Sequence, residues 1–227
     1  KGVYFIDSDE AVVVDDVNDS SLIPTYQAVL AQIEQIKREG KEPKHHMLDI
    51  VWRTVLRVMP YDHGDVRVDE VKNRVGVGRK TYLGSFMGAG VCRHQSLLAA
   101  YLLEKLVSQG YLSGKVSVDR NMNLSRTEGH AWARYTNSRG VVFILDAAQH
   151  HLGKLTVDAP HLWPYARPED ITRLGIPEQK NQLNYRSLSN ERKDPVRNRF
   201  FTQFQSLLRK IFLPHMSPKI NAQSSIS

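Results

Sequence analysis

A single cysteine, Cys92, lies in the run Gly90-Val91-Cys92-Arg93-His94. Two later runs, Gly129-His130-Ala131-Trp132 and Leu145-Asp146-Ala147, hold the side chains that a reacting thiol needs. A free thiol has a pKa of about 8.5 and is mostly protonated at neutral pH. At a helix N-terminus, unpaired N–H groups and the positive end of the helix dipole favour the thiolate. Those donors at the helix start, Val91 among them, would also stabilise the oxyanion formed when sulfur attacks a carbonyl. A nucleophile needs a base, and the base needs a group to orient it. His130 fits the first role and Asp146 the second, which is the chemistry of acyl transfer from an amide.

The elements that must position these groups are readable from periodicity. Residues 24–39 (Tyr26, Val29, Leu30, Ile33, Ile36) and 44–59 (Met47, Leu48, Val51, Trp52, Val55, Leu56, Met59) carry apolar residues at helical spacing. They predict an N-terminal helical wall over 24–59. The glycine-rich stretch 62–90 reads as a long connection with a short helix near Asp69–Arg74. Cys92 to Gln109 predicts a helix stopped by Gly110. Three strands are predicted next, at Lys115–Asp119, His130–Thr136 and Val141–Ala147.

Strand side chains alternate faces, so His130 and Asp146 share a face only if paired positions sum to an even number. A two-residue turn at Ser138-Arg139 would pair 137 with 140 and separate them. A three-residue turn with Gly140 left-handed pairs 137 with 141 and brings them together. The spacing therefore predicts an odd-length turn or a bulge.

The set Gly-Val-Cys-Arg-His on a helix, Gly-His-Ala-Trp on a strand and Asp on the next strand resembles the transglutaminase-like (papain-like Cys-His-Asp) superfamily over about residues 88–148. The resemblance implies an α+β fold in which the Cys-bearing helix packs on an antiparallel sheet, with further helices at both ends. It assigns Cys92 as nucleophile, His130 as base and Asp146 as its orienter; no cofactor or metal is expected, and a protein or peptide is the expected substrate. Members include transglutaminases, proteases, amidases, peptide N-glycanases and bacterial effectors that modify host proteins; some have lost catalysis. The chain departs from animal transglutaminases in having no acidic loop resembling a calcium site. It also has no Trp between Trp52 and Cys92 to bind the oxyanion. Tyr82 is the nearest upstream side-chain donor, and with Val91 and Trp132 it completes the expected oxyanion and substrate neighbourhood.

Each residue also has a plainer reading: Cys92 as a small buried hydrophobe, His130 as a core histidine, Trp132 as packing, Asp146 as a strand terminator. Glu128 is a rival partner for His130. His94, two positions past Cys92, is turned about 200° away on a helix and reads as structural or supporting. The pairs His45-His46 and His150-His151 lack a ligand spacing, since adjacent histidines rarely bind one ion.

Composition bounds the rest. With 227 residues, 41% hydrophobic and 24% charged, the chain is neither disordered throughout nor fibrous. One Cys excludes an internal disulfide framework and multi-thiolate zinc sites. The longest apolar run, Leu97 to Leu103, is far short of the roughly 20 residues that span a bilayer. The net charge of +7 is uneven: residues 1–20 carry six acids against Lys1, while 186–219 carry eight bases against two acids. Two regions are expected, a catalytic domain over 1–185 and a basic extension over 186–227. In the extension, Phe200, Phe201, Phe204, Leu207, Leu208, Ile211 and Phe212 line one side of a basic helix. That stripe suits docking on the core, on a protein partner or on an acidic membrane surface. No RNA-recognition or zinc-finger signature accompanies it, so no specific nucleic-acid binding is expected. The acidic first residues do not form a secretory signal. A reducing intracellular setting is favoured, with a secreted bacterial protein acting inside a host cell as the other possibility. Against the enzyme stand two alternatives: a non-catalytic interaction module on the same fold, and an effector-type enzyme held inactive by a partner.

Overall fold

The computed structural model describes residues 2–4, 11–76, 79–121 and 129–177. The chain divides into two units, Lys1–Asn181 and Gln182–Ser227; the basic Phe-lined helix and Glu128 lie outside the described residues.

Both amphipathic stretches of the N-terminal wall are helical. Helix α1 spans Leu22–Arg38 and α2 spans Met47–Val58. The second begins later than its periodicity suggests, because Pro43–His45 forms a 3-10 turn. It stops at Met59, next to Pro60, whose ring cannot continue a helix. The glycine-rich connection is more ordered than its composition predicts. It contains α3, Val66–Val75, started by the Asp62 carboxylate, which accepts the N–H groups of Arg67 and Val68 at 2.8 and 3.0 Å.

Helix α4, Cys92–Ser108, is apolar nearly all round: Leu97, Leu98, Ala99, Leu102, Leu103 and Leu106 are all buried. Such a helix must be covered on more than one side. The wall of α1 and α2 covers one side, and a sheet covers another.

Two sheets are present. In the smaller, β1 (Gly2–Tyr4) pairs antiparallel with β2 (Ala11–Val13), which runs parallel to β3 (Lys80–Tyr82). The larger is antiparallel, in the order β4 (Gly114–Asn121), β5 (His130–Asn137), β6 (Val142–Asp146), β7 (His151–Lys154). The chain is thus α+β. Strands β1, β2, β3 and β7 were not expected from the sequence.

The β5–β6 turn has the odd length that parity requires. Thr136 pairs with Val142 and Ala133 with Leu145, so paired positions sum to 278. Gly140 takes φ +77°, and Asn137 and Val141 close the loop with a 2.9 Å hydrogen bond. Glycine is needed here, because an L side chain at that φ is strained.

The register sorts the sheet into two faces. Ala131, Ala133 and Tyr135 join the core under α4. Trp132 enters a second core with Val142, Ile144, Leu155, Leu162, Tyr165 and Ile176 on the opposite face. That core is roofed by a 3-10 turn at Pro160–Tyr165 and by α5, Pro168–Leu174. A buried ion pair ties the roof down: Arg134 meets Asp170 at 2.8 and 2.9 Å.

Candidate active site

The first turn of α4 is clamped by the chain that leaves α2. Gly90 N–H donates to Pro60 O at 3.0 Å, Asp62 N–H returns to Gly90 O at 3.0 Å, and Gln95 Nε2 donates to Met59 O at 2.8 Å. Gly90 is required by close approach. A Cβ there would stand 2.9 Å from Met59 Sδ and 3.0 Å from His94 Cβ, inside ordinary contact distance. Val91 then takes an extended conformation and α4 begins at Cys92.

Three sequence-derived side chains meet at the end of the larger sheet, where β5 begins and β6 ends. His130 opens β5 and is 5% exposed; Asp146 closes β6 and is 1% exposed. His130 Nε2 lies 2.5 Å from Asp146 Oδ2. The His130 ring and the Ala131 N–H lie close enough to Cys92 to act on its ionisation. With Nε2 engaged by the carboxylate, Nδ1 is the nitrogen that serves the thiol. Cys92 itself is only partly buried.

The electrostatics follow from this contact. Burial opposes the charged form of Cys92, but the His130 hydrogen bond and charge, the Ala131 N–H and the Arg93 charge outweigh it. The thiol is held below its ordinary range. Burial also opposes a charged His130, yet the Asp146 and Cys92 hydrogen bonds and charges prevail, and the imidazole is pushed up to about 10. Opposite shifts in two neighbouring groups favour the ion pair, thiolate beside imidazolium, over the neutral pair.

Asp146 has further partners. Its Oδ1 accepts the Gln149 N–H at 3.0 Å, its Oδ2 accepts the Tyr165 hydroxyl at 2.7 Å, and its backbone carbonyl accepts Trp52 Nε1 at 3.4 Å. None of these was identified from sequence. Trp52 was assigned only to the helical wall, and Tyr165 lies in a Pro-rich stretch without periodicity.

The expected oxyanion and substrate neighbours fare differently. The Val91 N–H is directed to His94 Nδ1 at 3.2 Å, so it is not the oxyanion donor expected; Cys92 N–H is the next one along the helix start. His94 serves that role while stacked on Phe86 at 3.7 Å, a structural task. Trp132 is 3% exposed, stacked at 6.1 Å against His130, with an indole N–H that finds no hydrogen-bond partner among the described residues. It packs beside the base within the second core. Tyr82 ends β3 in the smaller sheet, 42% exposed, and its hydroxyl is not joined to the Cys92–His130–Asp146 chain.

Among the described residues, no group of three or more His, Cys, Asp or Glu is placed to hold a metal ion, and no helix is long and apolar enough to cross a membrane. His150, left-handed at φ 55°, stands edge-on to Trp52, and His151 Nδ1 lies 2.9 Å from the Tyr165 hydroxyl. A scan of protein-family models, a search of curated proteins and a search of solved structures each find no match to this chain.

Proposed function

We propose that the chain is a cysteine-dependent enzyme of amide acyl transfer, acting on a protein or peptide. The observation that carries this reading is Cys92 set beside a His130 ring that Asp146 holds at 2.5 Å, with the thiol shifted down and the imidazole shifted up. A merely structural cysteine has no need of a charged partner. The fold supports the same assignment, because a helix that opens on its Cys and packs on an antiparallel sheet bearing His and Asp resembles the transglutaminase-like core.

The reaction follows from these positions. Cys92 Sγ attacks the carbonyl carbon and forms the C–S bond, and the carbonyl electron pair moves to oxygen. The oxyanion is met by Cys92 N–H at the positive end of α4. When the tetrahedral intermediate collapses, the C–N bond breaks and the His130 ring gives its proton to the departing amine. The Asp146 carboxylate holds the ring and stabilises its charge before transfer. Water or an acceptor amine then attacks the thioester, the neutral ring takes that nucleophile's proton, and the thiolate leaves. Water makes the enzyme a protease or deamidase; a lysine amine makes it a cross-linker. Hydrolysis or modification of a protein is the reading preferred.

Iodoacetamide alkylation tests the thiolate without knowledge of the substrate. Cys92 is expected to alkylate faster than a peptide thiol at about pH 6, and His130→Ala is expected to abolish the advantage. A panel of amide substrates compared between wild type and Cys92→Ala tests the turnover. Peptide-like alkylation that ignores His130 would overturn the reading.

A further inference from the structure

Beyond the three groups of the acyl-transfer reading, Asp146 is gripped by a fourth. Tyr165, the last residue of the 3-10 turn, is 1% exposed, and its hydroxyl reaches Asp146 Oδ2, the oxygen that faces His130. The hydroxyl has one proton and donates it to that oxygen at 2.7 Å. His151 Nδ1, 2.9 Å from the same hydroxyl, is then the donor to it. Burial, the largest influence on His151, pushes it below the ordinary imidazole range and so favours the neutral ring, whose Nδ1–H is the proton that can reach the hydroxyl. The Tyr165 ring cannot swing away, because Trp132 packs edge-on against it at 5.0 Å while stacking on His130.

We infer that Tyr165 is a positioning residue for the Cys92–His130–Asp146 chain: its hydroxyl, oriented by His151, holds Asp146 Oδ2 against His130 Nε2 and thereby sets how much of Cys92 is thiolate. The inference rests on the thiolate reading above. Without the hydroxyl, Asp146 keeps the Gln149 N–H on Oδ1 and His130 alone on Oδ2, and that oxygen is less firmly held against the ring. The imidazolium then loses its fixed counter-charge, and burial of Cys92 drives the thiol back up. Packing alone does not explain the hydroxyl, since a phenyl ring would fill the same core.

The test is alkylation of the full chain by iodoacetamide from about pH 4 to about pH 10, with thermal melting recorded for each variant. Tyr165→Phe is expected to raise the alkylation midpoint by about one pH unit, slowing the reaction about tenfold at about pH 6. Trp163→Phe, which removes the 3.1 Å bond from Nε1 to Thr156 O in the same turn, is expected to lower the melting temperature without moving the midpoint. Asp146→Ala and Asp146→Ala/Tyr165→Phe are expected to react alike within about twofold, because the hydroxyl acts only through the carboxylate. A wild-type midpoint in Tyr165→Phe overturns the role of Tyr165 and leaves the thiolate reading intact. An equal shift in Trp163→Phe, or a further tenfold loss in the double variant, overturns it as well. A wild-type thiol no faster than a peptide thiol overturns both.

Discussion

Replacing Asp146 by Asn exchanges one oxygen for an amide nitrogen, yet no orientation of the new side chain satisfies its neighbours. Oδ1 now accepts from Gln149 N–H, and Oδ2 from His130 Nε2–H and Tyr165 O–H. With the amide nitrogen in the Oδ1 place, it faces the Gln149 N–H, donor against donor. In the Oδ2 place it faces the tyrosine proton and can meet His130 only if Nε2 is unprotonated. That second arrangement forces the ring proton onto Nδ1, the nitrogen beside the thiol, where a neutral ring cannot accept the Cys92 proton. Either way a buried donor goes unpaired at a cost of about 1–3 kcal/mol. The imidazolium also loses the partner that raises its pKa. A wrong tautomer in a hydrolytic triad costs about 10⁴ in turnover, and a loss of about 10³ to 10⁴ is expected here. A destabilisation of about 2 kcal/mol lowers the melting temperature by about 4–8 °C for a unit of this size. The alkylation midpoint is expected above the ordinary thiol value, because burial then acts on Cys92 with little opposing it. Purified Asp146→Asn assayed by iodoacetamide against pH and by calorimetry gives both readings. A wild-type midpoint with wild-type melting would refute the claim that the carboxylate governs the pair.

Wild-type alkylation is expected to rise with pH through a midpoint below the ordinary thiol value, and amide turnover to fall again near about pH 10 as His130 loses its proton. Stability follows the same signs. The raised His130 contributes fully below its unfolded value of about 6.5 and its share is lost as pH climbs through the folded value. The lowered Cys92 contributes above the unfolded thiol value and its share is lost as pH falls through the folded one. Urea unfolding across that range checks both limbs. Gly90→Ala is expected to cost about 1–3 kcal/mol, because Met59 and His94 must yield to the new Cβ, and to slow alkylation by displacing the α4 N-terminus; melting and alkylation together read it. Asp170→Ala is expected to cost about 3–5 kcal/mol in urea unfolding by stranding the Arg134 guanidinium inside the second core.

The legible part of the site lay within single elements or across one short turn. Cys92 at a helix start needs only glycine, an apolar periodicity and Gly110. His130 and Asp146 need only strand alternation and the parity of the Gly140 loop. What escaped was set by contacts distant in sequence. Strands of three residues carry too few side chains for alternation to show, and β2 finds β3 as a parallel neighbour nearly seventy positions along the chain. Tyr165 sits in a 3-10 turn with Pro160 and Pro164, where no period exists to mark an inward face. Trp52 gave a signal, as an apolar member of a helix, but that signal does not say that its indole N–H reaches the carbonyl of Asp146. Val91 shows the converse error: a helix start promises free N–H groups, and His94 three residues later claims one.

Neither charge of the site stands without its partners. Burial by itself disfavours both a thiolate at Cys92 and an imidazolium at His130, so either ion alone is costly in this place. Each becomes favourable only with the other present and with Asp146 behind the ring, whose own charge is met by Gln149 and Tyr165. The groups therefore titrate as a coupled unit, and apparent values belong to the pair. His130→Ala accordingly has a sharper consequence than loss of a base. It leaves a thiol that burial pushes above the ordinary range, so that variant must react more slowly than a free peptide thiol at neutral pH. A cysteine that kept ordinary reactivity after loss of the ring would show that its ionisation owed nothing to the pairing.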